Sequence, residues 1–562
     1  MRNGFIVFLV FSTSFLWAAS KTPKLGHDPE ASAHLPGPAI AAMQKIDPER
    51  IRADVKFLSD DLLEGRGTGQ RGGDIAAAYM ATQFALYGLK PAGDNGTFLQ
   101  KVPLVGITPA DGTTFTLVPN RGPSLDLKPL DEYVAYDQTQ RTESDVNAQI
   151  VYVGYGIDAP EYKWDDYKGV DVKGKVLLML VNEPPSSDEK FFKGKALTYY
   201  GRWTYKYEEA ARKGAVGVIL IHKTDMASYP WEVVRNSNSG EKSYLKAEGA
   251  PLLKVASWVQ LSVAGKLAAM ANMDINKMIF DAQSTNFHPV ELPVKLKAHM
   301  VSKIRPFSSN NVVAMLSGAD AKLKSQAVLF TAHYDHLGIR PDISGDNIYN
   351  GAEDNATGCG VLLEIARAYA LSQAKPRRSI LFAAVTAEEQ GLLGSDYLGK
   401  HPPIPAGNIT LDLNFDDIPA LGAPEEVEVS GAERTTFYPV VSAMAKEFRL
   451  AIRPDSNPGA GYYYRSDHFS LAHVGIPSFS VSEGLKYKGH TEVWGLKQAE
   501  DYTTNRYHQP SDEYRPDMNF IGDAAMARFG FALGWKAASL QNLIGWQHGD
   551  EFEAERLKSE GK

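Results

Sequence analysis

Residues 327–336 read Ala-Val-Leu-Phe-Thr-Ala-His-Tyr-Asp-His. An uninterrupted apolar run that ends in histidine and carboxylate marks a buried strand delivering polar side chains at its carboxyl end. The pattern recurs downstream. Ser379–Thr386 runs into Glu388-Glu389, and Ile409–Phe415 runs into Asp416-Asp417. Helical periods at Gly358–Ala370, Gly391–Leu398 and Tyr438–Glu447 alternate with these strands, and Asn311–Leu316 and Ile476–Val481 read as further strands. Such alternation predicts an α/β fold, a mostly parallel mixed sheet sandwiched by helices. Ligands of such sheets gather beyond the strands' carboxyl ends, where His333, Glu388, Glu389 and Asp416 fall.

Working outward, the texture changes on both sides. Residues 1–20 carry a positive charge at Arg2, an apolar run to Trp17 and small residues at Ala18-Ala19-Ser20, the pattern of a secretory signal peptide. Residues 21–134 hold a helical period through Ile51, Val55, Leu58 and Leu62, a glycine-rich turn Gly65-Arg-Gly-Thr-Gly69, and a helix at Ala76–Tyr87. The turn lacks the Lys-Ser/Thr of a phosphate loop. Residues 135–298 form a separate β-rich module with strands at Ala148–Tyr155, Val176–Leu180 and Gly217–Leu220. Residues 299–545 are the α/β segment, and 546–562 read as a short charged tail.

The 562 residues exceed one compact domain, and 44% hydrophobic with 22% charged residues is ordinary globular composition. A net charge of −8 argues against a nucleic-acid partner. Cys359 is the only cysteine, so intrachain disulfides and multi-thiolate zinc sites are excluded.

Five groups carry the chemistry. His333-Tyr-Asp335 offers an imidazole whose second ring nitrogen the Asp can hold. Asp354 sits in Gly351-Ala-Glu-Asp-Asn-Ala-Thr-Gly358, at a helix start, where a carboxylate is usually a cap. Glu388 and Glu389 divide naturally into a general base and a ligand. Three carboxylates, Asp412, Asp416 and Asp417, compete around one strand end. His508 lies in Arg506-Tyr-His-Gln-Pro-Ser-Asp512, where Asp512 could orient it. Ser466-Asp467-His468 is no serine-hydrolase signature, because no nucleophile elbow precedes it.

Together these motifs resemble peptidase family M28, zinc aminopeptidases and their carboxypeptidase relatives. The resemblance rests on His333 with Asp335, on Asp354, on Glu388-Glu389, on Asn414-Phe-Asp416 and on Tyr507-His508. It extends to Leu58–Gly69, Tyr87–Ala92 and Gly461–Pro477, and module 135–298 looks like an inserted protease-associated (PA) domain. It implies the zinc-exopeptidase fold and two Zn²⁺ ions, one held by His333, Asp354 and Asp416, the other by Asp354, Glu389 and His508. It also implies Glu388 as base and a cis peptide after Asp354. Tyr507, next to His508, is a candidate donor to the substrate carbonyl, and Tyr464 and Arg465 are candidate substrate contacts, in a stretch that otherwise reads as packing and turn. The chain departs from the family after Asp416, where Asp417-Ile-Pro419 replaces the usual Met-Ile-Gly.

The function so implied is an exported exopeptidase that removes N-terminal residues from peptides, periplasmic or secreted, with no membrane association after signal cleavage. A carboxypeptidase or an inactive binding protein on the same fold are the alternatives.

Overall fold

One long strand contributes to the hydrophobic cores of both halves of the molecule. The computed structural model describes residues 35–340, 344–455 and 457–562; the run read as a signal peptide, 1–20, lies outside them. In chain order the strands that matter are β1 Leu99–Pro109, β2 Tyr133–Tyr136, β3 Glu143–Tyr152, β4 Val176–Leu180, β5 Gly217–His222 and β6 Val255–Gln260. They continue with β7 Val290–Leu316, β8 Ala327–His333, β9 Ser379–Val385, β10 Ile409–Asn414 and β11 Ser478–Ser480. They pair in the order β11-β10-β8-β9-β7-β3-β4-β5-β6-β2.

In the C-terminal half, β8 lies parallel to both β9 and β10, and β10 is parallel to β11. The end of β7 closes this part antiparallel to β9. The period of two decides which side chains enter which layer. Val328, Phe330 and Ala332 face a core built with Ile51, Val55, Leu362 and Phe531. Ala327 and Leu329 face the opposite layer with Val313, Leu381, Leu398 and Leu471. With both faces covered, every residue of β8, β9 and β10 is buried. That explains the continuous apolar runs in the sequence.

The helices covering the first face are α1 Pro48–Leu58, α2 Arg71–Leu86, α3 Gly358–Leu371 and α4 Ile521–Ser539. Helix α1 starts where Asp47 accepts the Glu49 N–H at 3.0 Å, with Pro48 at the first helical position. Leu62, read as a continuation of its apolar stripe, is instead 74% exposed beyond the helix end.

Module 135–298 is not independent of this sheet. The 27-residue strand β7 pairs with β3 in the module, with β1 along its middle, and with β9 at its end. The sequence reading found only its last six residues. The charged C-terminal segment is no free tail: α5, Glu553–Ser559, packs back, and buried Arg556 donates to the Ile409 carbonyl at 2.9 Å. Among the described residues, no helix is long and apolar enough to cross a membrane.

Candidate metal centre

Because β8, β9 and β10 are parallel neighbours, their carboxyl ends present side chains at one level. His333 closes β8, Glu388 and Glu389 follow β9, and Asp416 follows β10. The segment Ala352–Thr357 brings Asp354 alongside, through a cis Asp354–Asn355 peptide bond, as the resemblance implied.

The side chains converge. His333 Nε2 lies 3.0 Å from Asp416 Oδ1 and 3.2 Å from Asp354 Oδ1. His508 Nε2 lies 3.2 Å from the other Asp354 oxygen and 3.2 Å from Glu389 Oε2. Asp354 therefore stands between two imidazoles. Of the three competing carboxylates, Asp416 is the one that reaches His333. Asp412 points into the sheet and accepts from Thr331 Oγ1 at 3.0 Å. Asp417 adopts φ 49° and forms a close carboxylate group with Asp354 and Asp416.

Several partnerships differ from the sequence reading. The Asp335 carboxylate does not hold His333, being 3.9 Å from Nδ1; the Asp335 main-chain carbonyl does, at 3.1 Å. The carboxylate instead accepts from Thr68 Oγ1 at 2.8 Å and from the Glu388 N–H at 3.2 Å. Asp512 accepts the N–H groups of Glu353 and Asp354, both at 3.0 Å, which fixes the Asp354 main chain rather than the His508 ring. Tyr464 cannot meet a substrate: it is buried, and its hydroxyl donates to Glu551 at 2.6 Å. Arg465 is exposed, donates to the Ala460 carbonyl at 2.8 Å and stacks over Tyr462. The Tyr507 ring stacks on His508 with centroids 3.9 Å apart.

Other contributors were not read from the sequence. The glycine-rich turn is a brace for the site. Buried Arg66 donates to the carbonyls of Tyr334 at 2.7 Å and Gly351 at 2.9 Å. Ser466 donates to Asp416 Oδ2 at 2.5 Å. His336, fully buried, places Nδ1 2.6 Å from Glu389 Oε1. Its only sequence signal was its place in the same turn as His333.

Burial drives the electrostatics. Burial alone would lower the His333 and His508 pKa values, but the carboxylates outweigh it. His333 is held well above its usual value by Asp416, Glu388 and Asp354, and His508 is carried up to about 12 by Glu389 and Asp354. Burial would raise Glu389, yet His508 and His336 bring it down to about 2. Glu388 goes the other way: burial first, then Glu389, Asp416 and Asp467, raise it well above the carboxylate range.

Three clusters have donor atoms close enough to share an ion: His333–Glu388–Asp416, His336–Asp354–Glu389 and Asp354–Asp416–Asp417. Buried Glu389 Oε1 and both His336 ring nitrogens lack a well-formed hydrogen bond. Crowded buried carboxylates with orphaned donors fit divalent cations, which satisfy them.

Residues 311–529 match the family model of peptidase family M28. Over 114 residues the chain is 37% identical to a probable zinc metalloprotease of Pyrenophora teres f. teres, covering 20% of this chain and 23% of that protein. Over 220 residues it is 29% identical to a probable leucine aminopeptidase 2 of Aspergillus oryzae, covering 38% and 41%. The solved aminopeptidase of Aneurinibacillus sp. strain AM-1 superposes with a TM-score of 0.48 at 19% identity, covering 90% and 97%. The chain thus spans about a quarter to two-fifths of the length of these two curated relatives. His333, Asp354, Glu388, Glu389, Asp416 and His508 all lie inside the matched segment, and the chain carries a peptidase family M28 domain in residues 311–529.

Proposed function

We propose that the chain is an exported exopeptidase that hydrolyses N-terminal residues from peptides with two zinc ions. The observation that carries this reading is the convergence of His333, Asp354, Glu389, Asp416 and His508, with Asp354 between the two imidazoles. His333, Asp354 and Asp416 would hold one ion, and Asp354, Glu389 and His508 the other. When bound, such ions acidify a water and polarise the scissile carbonyl. Glu388, clustered with His333 and Asp416, accepts the proton of the attacking water and returns it to the leaving amine. Asp335 positions that base through the Glu388 N–H. Tyr507, stacked on His508, would donate to the developing oxyanion. Module 135–298 is read as the PA-type insertion.

The test is hydrolysis of aminoacyl and of C-terminally acidic peptides by purified protein, with and without a chelator. Chelation should abolish cleavage, and Glu388→Gln should lower kcat by roughly 10²- to 10⁴-fold. Cleavage that survives both overturns the reading.

One observation favours a second reading, removal of C-terminal residues. Arg465 and Arg202 line a common cleft where the module meets the C-terminal half. Arg202 Nε has no hydrogen-bond partner, and burial and the Arg465 charge lower the Arg202 pKa to about 10. A pair of this kind suits a substrate carboxylate. Preference for C-terminally acidic peptides, lost in Arg465→Ala, would establish it.

A further inference from the structure

The two cation positions are built differently, and the difference lies in His336. His336 has no exposed surface, and its ring is directed at the centre: Nδ1 is 2.6 Å from Glu389 Oε1 and 3.9 Å from Asp354 Oδ2. Neither ring nitrogen has a well-formed hydrogen bond. A buried imidazole left so is costly unless something else engages it. The ring also stands edge-on to the His508 ring, with centroids 5.8 Å apart. Both imidazoles therefore face the same two carboxylates, Asp354 and Glu389.

The backbone around His336 is prepared for this. Its N–H donates to the Arg66 carbonyl at 3.2 Å, and Gly67 bridges to it. Gly351, at φ +59°, allows the ring to lie against the chain: a Cβ there would sit 2.7 Å from the His336 ring. The glycine-rich turn and Gly351 together hold an imidazole that the proposed five-ligand set does not use.

We propose that His336 is a metal ligand, giving one cation position four protein ligands, His336, Asp354, Glu389 and His508. The other position has three, His333, Asp354 and Asp416, with the base Glu388 in the same cluster. This rests on the two-zinc reading given above. It makes the first position a closed, retaining site and leaves the open coordination, where substrate and water enter, to the second. Two imidazoles also bias the closed position towards zinc, cobalt or nickel over magnesium, calcium or manganese.

The test uses metal-free full-length protein titrated with Zn²⁺ against a chromogenic chelator, for wild type, His336→Ala and His336→Asn. X-ray absorption on the loaded proteins counts imidazoles. Wild type should take up two ions and show three imidazoles over the pair. Both variants should keep one tight site, lose at least about tenfold in affinity at the other and show two imidazoles. Asn can donate one N–H to Glu389 but offers no ring nitrogen. If it retains both affinities, or if wild type shows only two imidazoles, His336 merely orients Glu389 and the assignment falls. Should a variant not fold, the wild-type imidazole count decides alone. Wild type that binds no zinc overturns the two-zinc reading itself, a different failure.

Discussion

The C-terminal half and module 135–298 are built alike and do different things. Both centre on parallel strands, β8 to β10 in one and β4 to β6 in the other, all of them buried except for Gln260 at the end of β6. Both put polar residues at or just past strand ends. In the module these are Asn182 and Glu183, His222 and Gln260, and each is absorbed locally. Glu183 accepts from the Thr198 N–H at 3.0 Å, and His222 bonds the Tyr229 carbonyl at 2.9 Å. In the C-terminal half, the equivalent positions hold histidines and acids that face one another across about 3 Å. All metal-capable clusters among the described residues lie there. Strand topology supplies a place; only residue type and mutual aim make it a site.

Removing Asp354 should break this contrast most severely. It is the one carboxylate shared by both imidazoles, so Asp354→Ala should leave no zinc after dialysis and no measurable hydrolysis, read by elemental analysis and peptide assay. Next comes the support beneath the site. Thr68→Val deprives the Asp335 carboxylate, which also accepts the N–H of the base Glu388, of a partner and should lower kcat by about tenfold, read by peptide assay.

A smaller effect follows from pH. Buried His468 has its pKa lowered to about 4, burial being the main cause. Its ordinary value is 6.5, so between these values the unfolded chain binds more protons than the folded one. Stability is then complete above pH 6.5 and falls as pH drops towards 4, by on the order of 3 kcal/mol for this group. Urea unfolding of the metal-free protein at several pH values should show this fall, and His468→Phe should lack it.

The mildest change lies where the halves meet. Glu551 accepts from Arg434 and the Tyr464 hydroxyl, both at 2.6 Å, and from the Tyr199 N–H of the module at 3.0 Å. Because Asp550 still pairs with Arg434, Glu551→Ala should cost about 2 kcal/mol in a melting experiment and leave zinc content unchanged.

The sequence made the centre legible because its members sit at ends of apolar runs, where burial makes a charge conspicuous. Asp416 was favoured over its acidic neighbours by its place at the strand end and by the resemblance, and its 3.0 Å approach to His333 sets it apart in three dimensions. His336 was hidden by belonging to the same turn as His333. Arg66 was hidden because a charged residue in a glycine turn reads as surface, whereas it is fully buried among carbonyls. Helix α4 passed unread because it is buried on nearly all sides, which erases the 3.6-residue stripe. The part of strand β7 before Asn311 passed because Pro293 and Pro306 interrupt its alternation, as proline does in strands. The partners assigned to Asp335 and Asp512 failed for a simpler reason: each carboxylate found backbone N–H groups nearer than an imidazole.

Strand β7 has one more consequence, in the manner of a reading frame. Its residues count a single register for both halves: Leu296 and Ala298 face the module's core, Val312 and Ala314 one core of the other half, and Val313 the opposite one. The register shift against β3, between Glu291 and Lys295, lies before this stretch. One residue inserted between 302 and 311 would therefore turn every side chain beyond it to the wrong layer. Three would do the same, whereas two would preserve the facing. The module and the centre are bound by parity as much as by contact, and chimaeras joined along this strand should work only in even steps.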